Sequence, residues 1–235
     1  MYDDNNSSYP AERAGAALTA CLANVYWWMT FALLVSGVAA WAVGTSPELS
    51  RKLVTSPGLC LVLFLIEIGL VIWISAGINK MSASTATALF IAYSLVNGVT
   101  LSFIFIAYTQ TVIASAFAVT AGTFAVMALY GTVTKTDLTK FGNLFLMALL
   151  GLVIASVVNM FWVNNTLSLI ISYVGVLVFV GLTAYDAQKI KVMFYEAGMD
   201  DSETVRKIAI LGALSLYLDF INLFLFILRI FGRRD

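Results

Sequence analysis

The chain has 235 residues, of which 61% are hydrophobic and 11% charged, with 13 basic residues balanced by 13 acidic ones and a mean hydropathy of +0.93. Soluble domains carry about a quarter charged residues, so this composition excludes them and reads as a polytopic membrane protein. A net charge of zero and the lack of a basic tract give no footing for a nucleic-acid partner.

The sequence has no histidine, which removes His-based metal sites, Ser-His and Cys-His nucleophile pairs, and the usual side chain for sensing pH near neutrality. Proton-linked behaviour must then use carboxyls. Cys21 and Cys60 are unclustered and apolar in context, so they read as small buried hydrophobes, not as a disulfide or metal framework.

Residues 1–20 are polar, with Asp3, Asp4, Ser7, Ser8, Pro10, Glu12 and Arg13, and lack the short apolar core and small-residue cleavage site of a signal peptide. They are expected to form a flexible tail ahead of one transmembrane domain, 21–235.

A hydrocarbon core about 30 Å thick needs about 20 apolar residues in a helix. Seven such runs follow one another at 22–43, 58–78, 84–107, 112–133, 142–162, 167–190 and 207–230. They are continuous and lack the two-residue alternation of barrel strands, so the expected fold is an all-α bundle of seven transmembrane helices. Short polar breaks separate them, including 44–57 with Pro47 and Pro57 and the charged stretch 191–206. Counting Lys and Arg by alternate loops gives eight on the N-terminal side against five opposite. The positive-inside rule then favours a cytoplasmic N-terminus, whereas re-entry of the last span would leave both termini cytoplasmic.

Polar residues inside these spans carry the functional reading. In chain order they are Glu67 in the second span, Lys80 just after it, and Tyr93, Asn97 and Thr100 at helical spacing in the third. Gly151, Ala155 and Asn159 follow in the fifth, where the small residues suit close helix packing and Asn159 suits an interhelical hydrogen bond. The sixth span ends in GLTAYDAQK, which holds Asp186 with Lys189 on the same face. In the seventh, Gly212, Ser215, Asp219, Asn222, Phe226 and Arg229 form a narrow stripe among Leu, Ile and Phe, and Asn222 stands where it could donate to Asp219.

Asp219 is the sharpest clue, because an aspartate at the centre of a membrane helix costs roughly 2.5–3.5 kcal/mol and usually has a partner and a job. Two carboxylates meeting in a dry site cannot both ionise cheaply, so Asp186 and Asp219 would share one proton. Deprotonated, they would offer hard oxygen ligands suited to Ca²⁺. The pair reaches one depth only if the sixth helix runs on past Lys189, towards Tyr195. A bland alternative leaves each carboxyl locally satisfied.

The segments GNLFLMALLGLVIASVVN (142–159), VGVLVFVGLTAYDAQKIK (174–191) and LGALSLYLDFINLFLFILRIFG (211–232) resemble the Bax inhibitor/YccA family of the TMBIM superfamily, in its bacterial branch. The resemblance runs over all seven spans. It implies a C-terminal helix wrapped by the other six, an inner-membrane location, and a pH-sensitive Ca²⁺ leak governed by an aspartyl pair, here Asp186 and Asp219. In that reading Glu67, Lys80, Asn97 and Asn222 line or latch the path, no cofactor is needed, and Ca²⁺, protons and lipid are the partners. The family's latch uses an arginine near the end of the second helix, whereas this chain has SAGINKMSA there, so Lys80 would supply a point charge without the guanidinium fork.

Two rivals stand beside the leak. An intramembrane aspartyl protease would share the YD of Tyr185-Asp186, but the GxGD half of that signature is missing, so the chain is expected not to be an enzyme. A regulatory protein would use its polar tail to contact a membrane protease of the AAA type or another quality-control complex.

Overall fold

The computed structural model of the protein describes residues 8–197 and 202–232. Residues 1–7 of the expected tail, Asp200 and Asp201 of the charged stretch, and Arg233 and Arg234 of the basic end lie outside the described residues. Among the described residues nine α-helices run in the order α1 (Ser8–Gly44), α2 (Pro47–Thr55), α3 (Pro57–Gly77), α4 (Ala83–Leu101), α5 (Ile104–Ala107), α6 (Gln110–Val133), α7 (Gly142–Phe161), α8 (Asn165–Ala197) and α9 (Ser202–Phe231). Seven helical stretches are long and apolar enough to cross a bilayer, in the order expected. α9 continues unbroken for 30 residues. At 1.5 Å per residue that is about 45 Å, long enough to cross a membrane.

Three boundaries differ from the sequence expectation, each for a local reason. α1 starts at Ser8, so the described part of the expected tail, residues 8–20, is helical; Ala14, Ala16 and Ala17 are strong helix formers. The break at 44–57 holds the helix α2, because Pro47 and Pro57 each stand in the first turn of a helix, where a missing N–H costs nothing. The third span is not continuous either: its helix lets go at Ser102 and Phe103 before α5 resumes, and Ser102 Oγ bonds the Val99 carbonyl at 2.6 Å.

α9 is the most buried of the spans, with 67% of its most apolar window inside the protein against 6% for α3 and α7. It packs on α8, α1, α6 and α4, while α3 lies chiefly against α4 and α7 against α8. Four helices therefore form the main wall around α9, and α3 and α7 stand further out. Side chains seal this centre by shape. Tyr217 meets the edges of Phe90 and Tyr93, each at 5.7 Å between ring centroids, and Phe220 meets Phe117 at 5.6 Å and Phe124 at 5.5 Å.

Close helix approach comes from glycines other than the one singled out in the sequence. At Gly98 of α4 a Cβ would strike the Ser36 backbone of α1, and at Gly131 of α6 it would strike the Ala184 carbonyl of α8. Gly151 is exposed, and a Cβ there would meet nothing within 4 Å, because α7 turns that face outward. The packing role expected for Gly151 is corrected accordingly. Asn159 does not join two helices; its Oδ1 accepts from Asn164 N at 3.2 Å, closing the turn after α7.

Candidate functional site

Asp219 lies deep in α9, 4% exposed, and its Oδ2 is buried with no hydrogen-bond partner. Asn222 does not serve it. The Asn222 amide Nδ2 donates back to Leu218 O at 2.8 Å, one turn up its own helix. That correction has a simple cause: a side chain that can bond the carbonyl four residues before it closes a local ring without having to cross to a neighbour.

The group that does face Asp219 is Asp186 of α8. Each carboxyl lies within electrostatic reach of the other and of the Lys189 ammonium, and no described hydrogen bond joins the two. This juxtaposition needs α8 to run past Lys189, and it does, continuing to Ala197. Asp186 is half-buried and lines a cavity of about 580 Å³ between α7, α8 and the connection from α6 to α7. Tyr185, Lys189, Thr139, Lys140 and Asn143 share that lining. One carboxyl is thus closed off in the core and its neighbour opens on a cavity.

The connection from α6 to α7 is fixed to α8 by Gln188. Its Oε1 accepts from Leu138 N at 2.7 Å and its Nε2 donates to Thr136 O at 2.8 Å. Lys191 Nζ adds a longer bond to Thr132 O at 3.4 Å. On the same connection, hydrogen bonds from the Thr139 hydroxyl and amide, with Lys140 3.6 Å away, hold the exposed Asp137 carboxyl below the usual carboxylate range.

The remaining sequence candidates do not converge on the aspartates. Lys80 is exposed at the end of the 3₁₀ turn Ile78–Lys80, and no described contact joins it to either carboxyl. Lys189 is the basic residue beside the pair, with its Nζ 5.8 Å from the centroid of the Tyr185 ring. Glu67 and Asn97 belong to a separate network. Thr100 Oγ1 donates to Glu67 Oε1 at 2.6 Å, and Tyr217 donates its phenolic hydrogen to Asn97 Oδ1 at 2.8 Å. Sequence reasoning missed Tyr217, Ser36 and Gln188. A lone tyrosine hydroxyl among Leu, Ile and Phe was the available signal, since a buried phenol needs a partner.

Chemically, the aspartyl pair supplies only oxygen donors. Among the described residues no cluster of three or more His, Cys, Asp or Glu exists. Two carboxylates give at most four oxygens, whereas Ca²⁺ takes 6–8, so waters would complete any ion bound there. An unsatisfied buried oxygen at Asp219 fits such a site.

Residues 18–235 match the family described as inhibitor of apoptosis-promoting Bax1. The chain belongs to the Bax inhibitor family. It is 50% identical to inner membrane protein YbhL of Escherichia coli over 93% of this chain and 94% of that one. It is also 46% identical to an uncharacterized protein of Borreliella burgdorferi, covering 91% of each, and 42% identical to the uncharacterized protein RP147 of Rickettsia prowazekii, covering 89% and 88%. Family membership and the seven apolar helices together make it a multi-pass membrane protein of the same kind as its inner-membrane relative.

Proposed function

We propose that this protein is a pH-sensitive, Ca²⁺-permeable leak of the bacterial inner membrane, with its N-terminus in the cytoplasm and with Asp186 and Asp219 as the shared proton and cation site. The observation that carries the reading is the buried Asp219 Oδ2 without a hydrogen-bond partner, beside a second carboxyl that opens on a cavity. A site of this kind holds either a proton or a hydrated cation in one place, because two ionised carboxylates without a cation between them repel in a medium of low dielectric. Few protein ligands suit a leak, since an ion bound only by two carboxylates and water can also leave. Lys189 takes the role first expected of Lys80: a tethered positive charge that competes with the divalent ion for the same field.

The test is Ca²⁺ entry into dye-loaded liposomes at several pH values, comparing the native protein with Asp186→Asn and Asp219→Asn. The reading expects a pH-dependent flux in the native protein that each substitution flattens. An identical pH profile in all three refutes the site assignment.

A further inference from the structure

A second polar chain crosses the bundle on the opposite side of α9. It starts at Glu67, half-buried in the middle of α3 among residues that face outward. Glu67 Oε1 accepts from Thr100 Oγ1 of α4 at 2.6 Å, and the Asn97 amide lies near the same carboxyl, with Thr100 Oγ1 also 2.8 Å from Asn97 O. On its other side Asn97 meets the Tyr217 hydroxyl of α9 at 2.8 Å. Tyr217 contacts Ser36 Oγ of α1 at 2.6 Å, and Ser36 contacts the Ser94 carbonyl at 2.7 Å. Ser36, Asn97 and Tyr217 are all buried.

The hydrogens in this chain do not add up with Glu67 ionised. Three short contacts (Asn97 to Tyr217, Tyr217 to Ser36, Ser36 to Ser94 O) are served by two hydroxyl hydrogens, one each from Tyr217 and Ser36. With the Asn97 Nδ2 turned to an ionised Glu67, its Oδ1 must take the Tyr217 hydrogen, and one contact has none. An amide can turn by half a revolution and exchange Oδ1 for Nδ2 with almost no change of shape. Once turned, Asn97 gives a hydrogen to Tyr217, Tyr217 gives its own to Ser36, and Ser36 gives to Ser94 O. All three contacts are then filled. The turned Asn97 Oδ1 faces Glu67 and needs a donor there, which a protonated carboxyl provides.

We infer that Glu67 is a second proton-binding site, and that its protonation reverses the Asn97–Tyr217 hydrogen bond and passes the Tyr217 hydrogen to Ser36, linking the outward-facing α3 to the central α9. Proton balance is simple: one proton from water binds a Glu67 oxygen, Asn97 and Tyr217 keep their own hydrogens but change acceptors, and Ser36 goes on donating to Ser94 O. The titratable groups within reach of the Glu67 charge are Tyr93 of α4 and Tyr217 of α9. Of the charged residues on the neighbouring α2 and the 3₁₀ turn, Lys52 pairs with Glu48 at 2.9 Å, while Arg51 and Lys80 are exposed. The inference does not rest on the aspartyl pair.

The test is pH-difference infrared spectroscopy of the full chain in phosphatidylcholine liposomes, with Glu67→Gln, Tyr217→Phe and Asn97→Leu variants. The native protein is expected to show a carboxylic-acid band that Glu67→Gln removes and a tyrosine ring-mode change that Tyr217→Phe removes, both developing over the same pH interval. In Glu67→Gln the Tyr217 signal becomes independent of pH. In Asn97→Leu the Glu67 band persists while the Tyr217 response is lost. A Glu67 band that never develops, or a Tyr217 signal that still titrates in Glu67→Gln or Asn97→Leu, overturns the inference. Asp219→Asn should retain both bands, so this proposal and the leak reading fail separately.

Discussion

Tyr217 and Asp219 stand two positions apart on α9 and serve opposite sides of it: the tyrosine hydroxyl meets Ser36 of α1 and Asn97 of α4, while the carboxyl faces Asp186 of α8. Two residues turn a helix by about 200°, so this spacing is what puts one polar group on each face. α9 thereby carries two separate polar sites at nearly one depth. A substitution at one should leave the other's chemistry in place.

Lys189 is the lysine whose charge acts on both members of the aspartyl pair, and no described contact joins Lys80 to either. Lys189→Gln should therefore raise Ca²⁺ flux at a fixed pH several-fold, whereas Lys80→Gln should leave it unchanged. Dye-loaded liposomes measure both. Equal effects from the two substitutions would return the latch to Lys80.

Gln188 holds the connection from α6 to α7 through two bonds, to Leu138 N and Thr136 O. Gln188→Leu removes both hydrogen bonds, worth about 0.5–1.5 kcal/mol each. Hydrogen exchange at the Leu138 amide should then speed up by roughly 10- to 100-fold, since 1.4 kcal/mol is a factor of ten. Unchanged protection there would mean that the connection is held by something else.

The glycines give a paired prediction. Gly131→Ala should destabilise the bundle by about 1–3 kcal/mol, because the new methyl group drives into the Ala184 carbonyl and neither backbone can yield cheaply. Gly151→Ala meets open space and should be neutral or slightly stabilising through better helix propensity. Thermal unfolding in detergent distinguishes the two. Similar losses at both positions would contradict the packing described.

Much of this arrangement was legible in the sequence because the bilayer imposes one length and one polarity on every span. Continuous apolar runs at 58–78 and 112–133 could be nothing but crossing helices, and Asp219 was conspicuous among Leu, Ile and Phe. What the sequence hid was orientation about the helix axis. Asn222 stands one turn from Asp219 and looks like its donor, yet its shortest route is to the carbonyl of Leu218 on its own helix. Gly151 has the composition of a packing residue but sits on a helix that faces outward, whereas Gly131, unremarked in sequence, is where two backbones touch. Tyr217 was hidden for a related reason: a single phenol in an aromatic-rich helix reads as bulk until Ser36 and Asn97, from spans far off in sequence, close on its hydroxyl.

The central claim is that Asp186 and Asp219 work as one site, and non-additivity tests it most directly. In the liposome assay, Asp186→Asn, Asp219→Asn and the double variant should all lose the pH dependence of Ca²⁺ flux to the same extent, since removing either member already abolishes the shared proton. If the two single losses instead add in the double variant, or if either single variant keeps the native pH profile, the carboxyls act independently and the account is wrong.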